Sequence, residues 1–411
     1  MQMTWDRWWA LAVCCTAVAG STASLLATAE DGLQPVVAVL IDGTEIRGRW
    51  LSADADSVTL GAGQSPRLRM DELATVSFRK AADAGNSNRT VFYLADGGRL
   101  FGELAGSRPD AVMARTSLSD QTALPFASLA GIRLATEDSP RKAAELFRAA
   151  LASRLPGKDF LITRDDDVKT VQGRLESLDV GEGSFHFGDR ARTFQTDKIF
   201  GIVFAEGSAQ RSSPPVTVTL TDGASFSGKI NGADRNSIAL ATSFGAQVRL
   251  SISDIATLAF RSDRVVYLSD LEPASQRSEG LLHAPWPARR DQNAAAGPLV
   301  MAGRTFSRGL GVHSRTTLVY DLGGKYEKLV ATIGIDDAVR PRGSVDFQVI
   351  GDGKTLYESG VLTGSDAPRD VAVDVSKVKE LTLVSDYGDG LDLSDYADWG
   401  DARLLKPRRD Q

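Results

Sequence analysis

The chain is poor in thiols, with two cysteines among its 411 residues. Cys14 and Cys15 are adjacent and lie within an apolar stretch near the N-terminus. The residues after this stretch therefore form no disulfide and hold neither a thiol nucleophile nor a cysteine-ligated metal. Their stability must come from packing, together with any ion that is held by oxygen ligands.

The sequence also lacks an excess of positive charge. Its 47 Lys and Arg residues are outnumbered by 53 Asp and Glu residues, which gives a formal net charge of −6. One short basic cluster, residues 406–409, lies at the C-terminus, where we interpret it as a solubilising end. Because nucleic-acid-binding proteins present a basic surface, we expect no nucleic-acid partner.

Charge is absent from residues 8–29, which end in the tripeptide Ala-Thr-Ala. An apolar segment that ends in an A-x-A site is typical of a secretory signal peptide. We predict a signal peptide at residues 1–29, and therefore an exported protein that is periplasmic, on the cell surface or extracellular. Two alternatives stay open: the segment is long enough for an uncleaved membrane anchor, or Cys14 carries a lipid.

Four stretches of the chain repeat one scheme: an apolar strand, a polar turn, a strand with a glycine, two further strands and a short apolar closing motif. The polar turns are Asp42-Gly43, Asp96-Gly97, Asp165-Asp166-Asp167 and Asp222-Gly223. The spacing from the turn aspartate to the end of the closing motif is 36, 38, 38 and 38 residues. We predict four β units at residues 36–80, 90–136, 159–206 and 215–262.

Each shared residue suits a small, strongly bent sheet. Asp-Gly supplies the positive-φ pair of a tight hairpin, and a later glycine suits a bulge. Those later glycines are Gly48, Gly102, Gly173 and Gly228. About five strands in ~45 residues predict an SH3-like barrel, with a flatter β-meander as the alternative. We interpret the repeats as scaffold or interaction modules, for example for another envelope protein.

A helix is predicted in the linker 137–157, between the second and third copies. Ser139 and Pro140 form a favourable N-cap and first position, and Pro156-Gly157 ends the pattern. The apolar residues between them fall on one face.

The sequence pattern changes over residues 263–406, where short apolar or alternating segments are separated by turns that contain Gly, Asp and Pro. The clearest predicted strands are 316–322, 328–335, 345–350, 371–375 and 381–385. This spacing predicts an antiparallel β-sandwich. The expected fold class is therefore all-β: tandem small SH3-like β-barrel or meander repeats, followed by a β-sandwich.

Six blocks of this C-terminal segment resemble the NPCBM family of carbohydrate-binding modules. They are RGLGVHS at 308–314, YDL at 320–322, IGIDD at 333–337, GSVDF at 343–347, DGK at 352–354 and DYADWGDARL at 395–404. The resemblance implies a galactose-binding-like jelly-roll sandwich, commonly with bound calcium and often attached to glycoside hydrolases. It also implies a galactose-type or related glycan as the partner. It covers roughly a third of the chain and leaves the repeats unassigned.

Several side chains of this segment are suited to sugar contact. Aromatic faces pack on the C–H faces of sugar rings, and carboxylates or His pair with hydroxyls. The candidate carbohydrate-binding residues are Trp286, His313, Asp336, Asp337, Tyr396, Asp398 and Trp399. Structural roles are the alternative: Trp399 as a core residue, Trp286 as a loop anchor between prolines, and His313 as a hydrogen-bonded framework residue.

The stretch 386–395 is rich in aspartate, and hard cations take carboxylate and carbonyl oxygens. Asp389, Asp392 and Asp395 are the candidate ligands of a structural Ca²⁺. Their spacing is not that of an EF-hand. A solvated Asp-rich loop is the alternative, and it is the family resemblance that favours calcium.

No catalytic domain is evident. The repeats occupy the chain up to the C-terminal segment, and there is no G-x-S-x-G, H-E-x-x-H or phosphate-loop motif. Glycosidases need two carboxylates across a cleft, whereas Asp336 and Asp337 are sequence neighbours that point to opposite faces of a strand. We expect an exported, non-enzymatic carbohydrate-binding protein. A structural envelope or extracellular assembly protein without sugar binding is the alternative, and a glycoside hydrolase is disfavoured.

Overall fold

The computed structural model describes residues 33–61, 66–82, 88–135, 140–164, 167–188, 190–207, 215–280, 286–389 and 393–408. The predicted signal peptide at residues 1–29 lies outside these ranges. Within them the chain is built almost entirely of β-strands, which confirms the predicted all-β class. The one α-helix described is too short to cross a membrane, and no other described helix is long and apolar enough to do so.

Four consecutive segments each contribute five strands. The first has β1 Pro35–Leu40, β2 Glu45–Ala53, β3 Ser57–Gly61, β4 Arg67–Arg69 and β5 Leu73–Ser77. The second has β6 Thr90–Leu94, β7 Arg99–Arg108, β8 Ala111–Thr116, β9 Thr122–Pro125 and β10 Leu129–Arg133. The third has β11 Asp159–Thr163, β12 Thr170–Leu178, β13 Glu182–Phe187, β14 Arg190–Gln195 and β15 Ile199–Val203. The fourth has β16 Val216–Leu220, β17 Ser225–Ala233, β18 Ser237–Thr242, β19 Gln247–Ser251 and β20 Ile255–Phe260. A 3₁₀ turn precedes each fifth strand, at Met70–Glu72, Phe126–Ser128, Thr196–Lys198 and Ile252–Asp254.

Each segment is an antiparallel meander whose first strand also pairs with its last. In the first segment β1 pairs with both β2 and β5, β2 pairs with β3, and β3 with β4. The register of β2 against β3 shifts between Trp50 and Ser52, a bulge that lets a small sheet bend sharply. Gly102 has a different role, because a Cβ there would overlap the backbone oxygen of Arg115 on the neighbouring strand.

The segments are joined in a nested order through their fifth strands. β5 of the first pairs with β20 of the fourth, and β10 of the second pairs with β15 of the third. Trp50 is fully buried and donates its indole N–H to the carbonyl oxygen of Asp234 at 2.8 Å, which links the first segment to the fourth. One hydrophobic core therefore extends through all four segments.

The single described α-helix, α1, spans Arg141–Ala152. Ala143 and Phe147 are its buried residues, and the Phe147 ring lies 5.9 Å from that of Phe200 in the third segment. Gly201 is required beneath this helix, since a Cβ there would lie 2.7 Å from a ring carbon of Phe147. The helix thus covers the junction of the second and third segments.

The C-terminal part is a sandwich of two antiparallel sheets. Its strands are β21 Val265–Tyr267, β22 Ser275–Ser278, β23 Arg289–Arg290, β24 Leu299–Met301, β25 Arg304–Phe306, β26 Gly309–His313, β27 Thr316–Asp321, β28 Lys328–Ile335, β29 Ser344–Gly351, β30 Lys354–Thr363, β31 Arg369–Asp374, β32 Glu380–Tyr387 and β33 Tyr396–Leu405, with a 3₁₀ turn at Leu268–Asp270. One sheet has the order β23-β26-β33-β28-β31, with β21 also on β33, and the other has β22-β27-β32-β29-β30. β24 and β25 form a separate hairpin. The predicted sandwich is confirmed.

The sandwich packs directly on the first repeat segment. Ile41 forms an apolar cluster with Val330 and Leu405, and the Lys328 ammonium lies 3.1 Å from the Asp42 carboxylate. Arg403 donates its Nε–H to the Ile41 carbonyl at 2.9 Å. Arg403 and Leu405 lie at the C-terminal end of β33, whereas Tyr396, its first residue, lies at the opposite end of the sandwich. Because a ten-residue strand spans about 30 Å, about this distance separates the contact with the first repeat from the end of the sandwich at Tyr396.

Candidate functional site

Three aromatic rings meet at the end of the sandwich that is remote from the repeats. His313 ends β26, Tyr396 begins β33, and the two residues are paired in register. The Trp286 ring stacks on His313 with 5.3 Å between centroids and 19° between planes, and lies 5.5 Å from the Tyr396 ring. His313 is 8% exposed, while Trp286 and Tyr396 are half-buried. The structure thus brings three of the predicted sugar contacts together.

The local fold explains why this cluster forms where it does. β26 belongs to one sheet and β27 to the other, and the chain crosses between them in the two residues after His313. Arg315 makes this crossing with a φ of 59°, a left-handed conformation. The Ser314 hydroxyl oxygen lies 3.4 Å from Nδ1 of His313. The imidazole is therefore held at the sheet end by a short, constrained turn.

The same turn carries a polar group that the sequence analysis missed. The Arg315 guanidinium lies 5.6 Å from the ring centroid of Tyr387 and 3.1 Å from the Glu279 carboxylate. Guanidinium donors and carboxylate acceptors are the partners that sugar hydroxyls take. Arg315 could have been predicted as a candidate sugar contact, because it follows His313 by only two residues. Nothing in the sequence points to Glu279 or Tyr387, which tertiary structure brings to this end.

Trp399 is not part of the cluster. Its side chain is 1% exposed, its indole N–H donates to the Ser385 hydroxyl at 3.0 Å, and its ring packs edge-on against Phe347 at 5.3 Å. The prediction that Trp399 contacts sugar is corrected, because the indole lies in the core between the two sheets and is satisfied there.

Asp337 accepts hydrogen bonds from a neighbouring turn. Its carboxylate accepts the backbone N–H groups of Ala302 and Gly303 at 2.8 and 2.7 Å. Both residues have positive φ in the tight turn between β24 and β25. The carboxylate therefore stabilises a turn, and its predicted sugar contact stays a prediction.

Asp336 and Asp398 form a buried carboxyl pair, with exposed fractions of 1% and 0%. Asp336 accepts hydrogen bonds from the Asn293 amide at 3.0 Å and from the backbone N–H groups of Val300 and Ala338 at 3.0 and 2.8 Å. Within the described ranges, neither carboxylate oxygen of Asp398 has a donor. Burial and the neighbouring carboxylates of Asp336 and Asp337 raise the pKa of Asp398 well above its usual value. Neither carboxyl group is placed to reach a ligand at the surface, which corrects their predicted sugar contacts.

Two of the three predicted calcium ligands lie within the described residues. Asp392 lies outside the described residues, Asp389 is exposed, and Asp395 is buried with a carboxylate oxygen that accepts the Ser344 N–H at 2.8 Å. Among the residues with a described position, no group of three or more His, Cys, Asp or Glu side chains is arranged to hold a metal ion.

Comparison with known proteins gives a match to the C-terminal part of the chain. Residues 264–405 match the model of the NPCBM/NEW2 domain. A Renibacterium salmoninarum protein named as an endo-alpha-N-acetylgalactosaminidase is 29% identical over 168 residues, 39% of this chain and 11% of the relative. The alpha-1,3-galactosidase B of Akkermansia muciniphila is 28% identical over 117 residues, 28% of this chain and 15% of the relative. The chain therefore spans only a small part of these relatives.

A solved structure also resembles this part of the chain. It is a CBM51 module of a Clostridium perfringens GH95 protein in complex with methyl-galactose. The two are 26% identical, with a TM-score of 0.32, over 34% of this chain and 99% of the module.

Proposed function

We propose, from the premise that residues 264–405 are an NPCBM carbohydrate-binding domain, that the end of the sandwich remote from the repeats binds a galactose-type or related glycan. The observation that carries the proposal is the cluster of Trp286, His313 and Tyr396, two of whose rings reach the surface. Both curated relatives are named for cleavage of galactose-type sugars, which supports this ligand class.

The proposed contacts follow from the geometry of the cluster. His313 covers one face of the Trp286 indole, so a sugar ring packs its C–H face on the opposite face. Arg315 donates to sugar hydroxyls and Glu279 accepts from them, and their ion pair fixes the orientation of both groups. Tyr396 closes one side of the site.

We further propose that the domain binds the glycan without cleaving it. A glycosidase needs two carboxyl groups on either side of a cleft. Asp336 and Asp398 are instead buried together, and Asp337 stabilises a turn. These positions support a binding role for the domain and argue against the hydrolase alternative.

A calcium ion is proposed beside Asp336 and Asp398, as an alternative to the predicted site at Asp389, Asp392 and Asp395. The support is the buried carboxylate of Asp398, whose oxygens lack donors among the described residues. A bound Ca²⁺ supplies positive charge that stabilises two adjacent carboxylates in a buried site. Asn293 and β33 would then be fixed to one another, because Asn293 donates to Asp336 and Asp398 lies on β33.

Export, and a scaffold role of the repeats toward another envelope protein, are proposed on the sequence pattern alone. N-terminal sequencing of the protein secreted by an expressing cell tests the first: a start at Glu30 supports cleavage, and an intact Met1 contradicts it. Co-purification of an envelope protein that is lost when the repeats are removed supports the second.

Glycan-array screening of the full chain, followed by titration of the best hit, tests sugar binding. Trp286→Ala and Tyr396→Ala should each weaken binding by about 10-fold or more, because stacking on an aromatic face is lost. Tyr326→Ala, which removes a half-buried ring at the repeat end of the sandwich, should leave affinity unchanged. A folded chain that binds no glycan would overturn the proposal and favour the structural assembly alternative.

A further inference from the structure

A second candidate site lies on the repeats, where a groove of about 710 Å³ opens over the third segment. Its floor is formed by the outward side chains of β12 and β13. Pro109 of the second segment and Gly157 and Lys158, which precede β11, form its walls. The charged and amide groups of the lining are Lys158, Gln172, Arg174, Glu176 and His186.

The groove contains two positively charged side chains, Arg174 and Lys158. Glu176 already accepts the Ser184 hydroxyl at 2.7 Å, and its carboxylate lies 3.2 Å from Nε2 of His186. In the part of the chain that the structure describes, neither Arg174 nor Lys158 has an ion-pair partner. The groove therefore holds two cationic side chains that no described carboxylate neutralises.

The four repeated segments allow the same position to be compared within one molecule. Arg174 of β12 faces His186 of β13. In the second segment the equivalent pair is Glu103 and Arg115, which form an ion pair at 2.7 Å. In the first segment Arg49 faces Gly61, and in the fourth Lys229 faces Ala241. The third segment thus places Arg174 opposite an imidazole that lies beside Glu176, so Arg174 lacks the facing carboxylate that Arg115 has in the second segment.

We propose that this groove binds the anionic groups of an acidic polysaccharide, either uronate carboxylates or sulfate esters. Arg174 and Lys158 pair with the anionic groups, and Gln172 and Glu176 pair with hydroxyls of the same chain. The groove is open to solvent along its length and is lined mainly by polar side chains, which suits a hydrated sugar chain better than a peptide with apolar anchors. The net charge of −6 gives the protein no general attraction for polyanions, so binding depends on these local cations.

Calorimetric titration of the full chain tests this site with two separate probes, an oligogalacturonate and a heparin-derived oligosaccharide. We expect saturable binding of at least one probe, which identifies carboxylate or sulfate as the recognised group. Arg174→Gln and Lys158→Gln should each raise the Kd about 10-fold or more, since each removes a charge-assisted contact. Raising the salt concentration should weaken binding, because the contacts lie at the surface.

Two control variants show whether the acidic sugar binds at this groove. Lys229→Gln removes a cation at the matching position of the fourth segment and should leave the Kd unchanged. Arg115→Gln, at the position of the second segment that matches His186, should also leave it unchanged. Absence of saturable binding to either probe, or an equal loss in Lys229→Gln, overturns the proposal.

Discussion

Asp398 and Trp399 are adjacent on β33, yet their side chains are buried on opposite faces of one sheet. Trp399 packs against Phe347 in the core, and Asp398 lies beside Asp336 beneath the segment that contains Asn293. Alternation along a strand explains this separation. The sequence block 395–404, which resembles a ligand-binding family, therefore consists mostly of framework residues, and Tyr396 is its one member in the aromatic cluster.

Trp399 and Trp286 should differ in what their removal changes. Trp399→Ala should lower the free energy of unfolding by about 3–5 kcal/mol, because it leaves a large cavity in the core. Trp286→Ala should change it by less than about 1 kcal/mol, because the ring is half-buried at the surface. Urea denaturation of both variants measures the contrast. An unchanged midpoint for Trp399→Ala would show that the indole does not support the core.

Calcium should stabilise the sandwich through Asp398. At a free Ca²⁺ concentration about 100-fold above its Kd, the proposed site adds about 2.7 kcal/mol to the free energy of unfolding. Chelation should lower the Tm of the unmodified protein, and Asp398→Asn should make the Tm insensitive to calcium. Asp389→Asn, at an exposed carboxylate of the site first predicted, serves as the matched control. A calcium effect lost in Asp389→Asn but kept in Asp398→Asn would return the ion to the Asp-rich loop.

The Asp42–Lys328 pair should make the junction between repeats and sandwich sensitive to acid. Burial alone would raise the pKa of Asp42, but hydrogen bonds from Thr44 and Lys328 outweigh it and hold the pKa below 3.8. The stabilisation is therefore present above the ordinary aspartate pKa and disappears as the pH falls through the lowered value. Because the pair is partly exposed, we expect Asp42→Asn to cost about 1 kcal/mol or less at pH 7.

The acid dependence is measured as the stability difference between the unmodified protein and Asp42→Asn. That difference should shrink between about pH 5 and pH 2. Glu45→Gln, which disrupts an exposed ion pair with Arg47, provides a control with no junction contact. A difference that stays constant over this range would mean that the carboxylate does not gain stability from the contact.

Alkaline pH should destabilise the sandwich through Tyr320. Burial raises the pKa of this phenol from 10.0 to about 12, so the folded state holds the proton more tightly than the unfolded chain. The group's contribution is complete below pH 10 and is lost as the pH rises toward 12, by about 1.4 kcal/mol per pH unit. Tyr320→Phe should show a shallower alkaline loss of stability in chemical denaturation at pH 9 to 12. Identical slopes for the two proteins would contradict the assignment.

The strands of the sandwich were predictable because Gly-Asp turns and alternating apolar residues mark them locally. The position of the bulge in β2 was harder to predict. The sequence pattern placed it at Gly48, whereas the register against β3 shifts between Trp50 and Ser52. The counterpart Gly102 is explained by the close approach of the neighbouring strand instead. Local sequence shows that a glycine is needed, but the reason depends on what lies across the sheet.

Long-range pairings could not be predicted. The closing motifs of the four repeats are alike, so nothing in them indicates that β5 pairs with β20 and β10 with β15. In the same way, Asp336 and Asp398 are far apart in sequence, and each looks like a polar residue available to a ligand. Their mutual burial follows from the order of strands in the sheet, which a single sequence does not encode in any short pattern.

The packing of the sandwich on Ile41 gives β33 a mechanical role. A pull on a ligand bound at the proposed site near Tyr396 would be transmitted along this strand to the contacts of Leu405 and Arg403 with the first repeat. The strand is hydrogen-bonded on both sides, to β26 and β28, with bonds perpendicular to the pull. Such a load acts on many bonds at once in shear rather than opening them one after another. A load between the proposed site and the first repeat would therefore have to break these bonds together before β33 could slide.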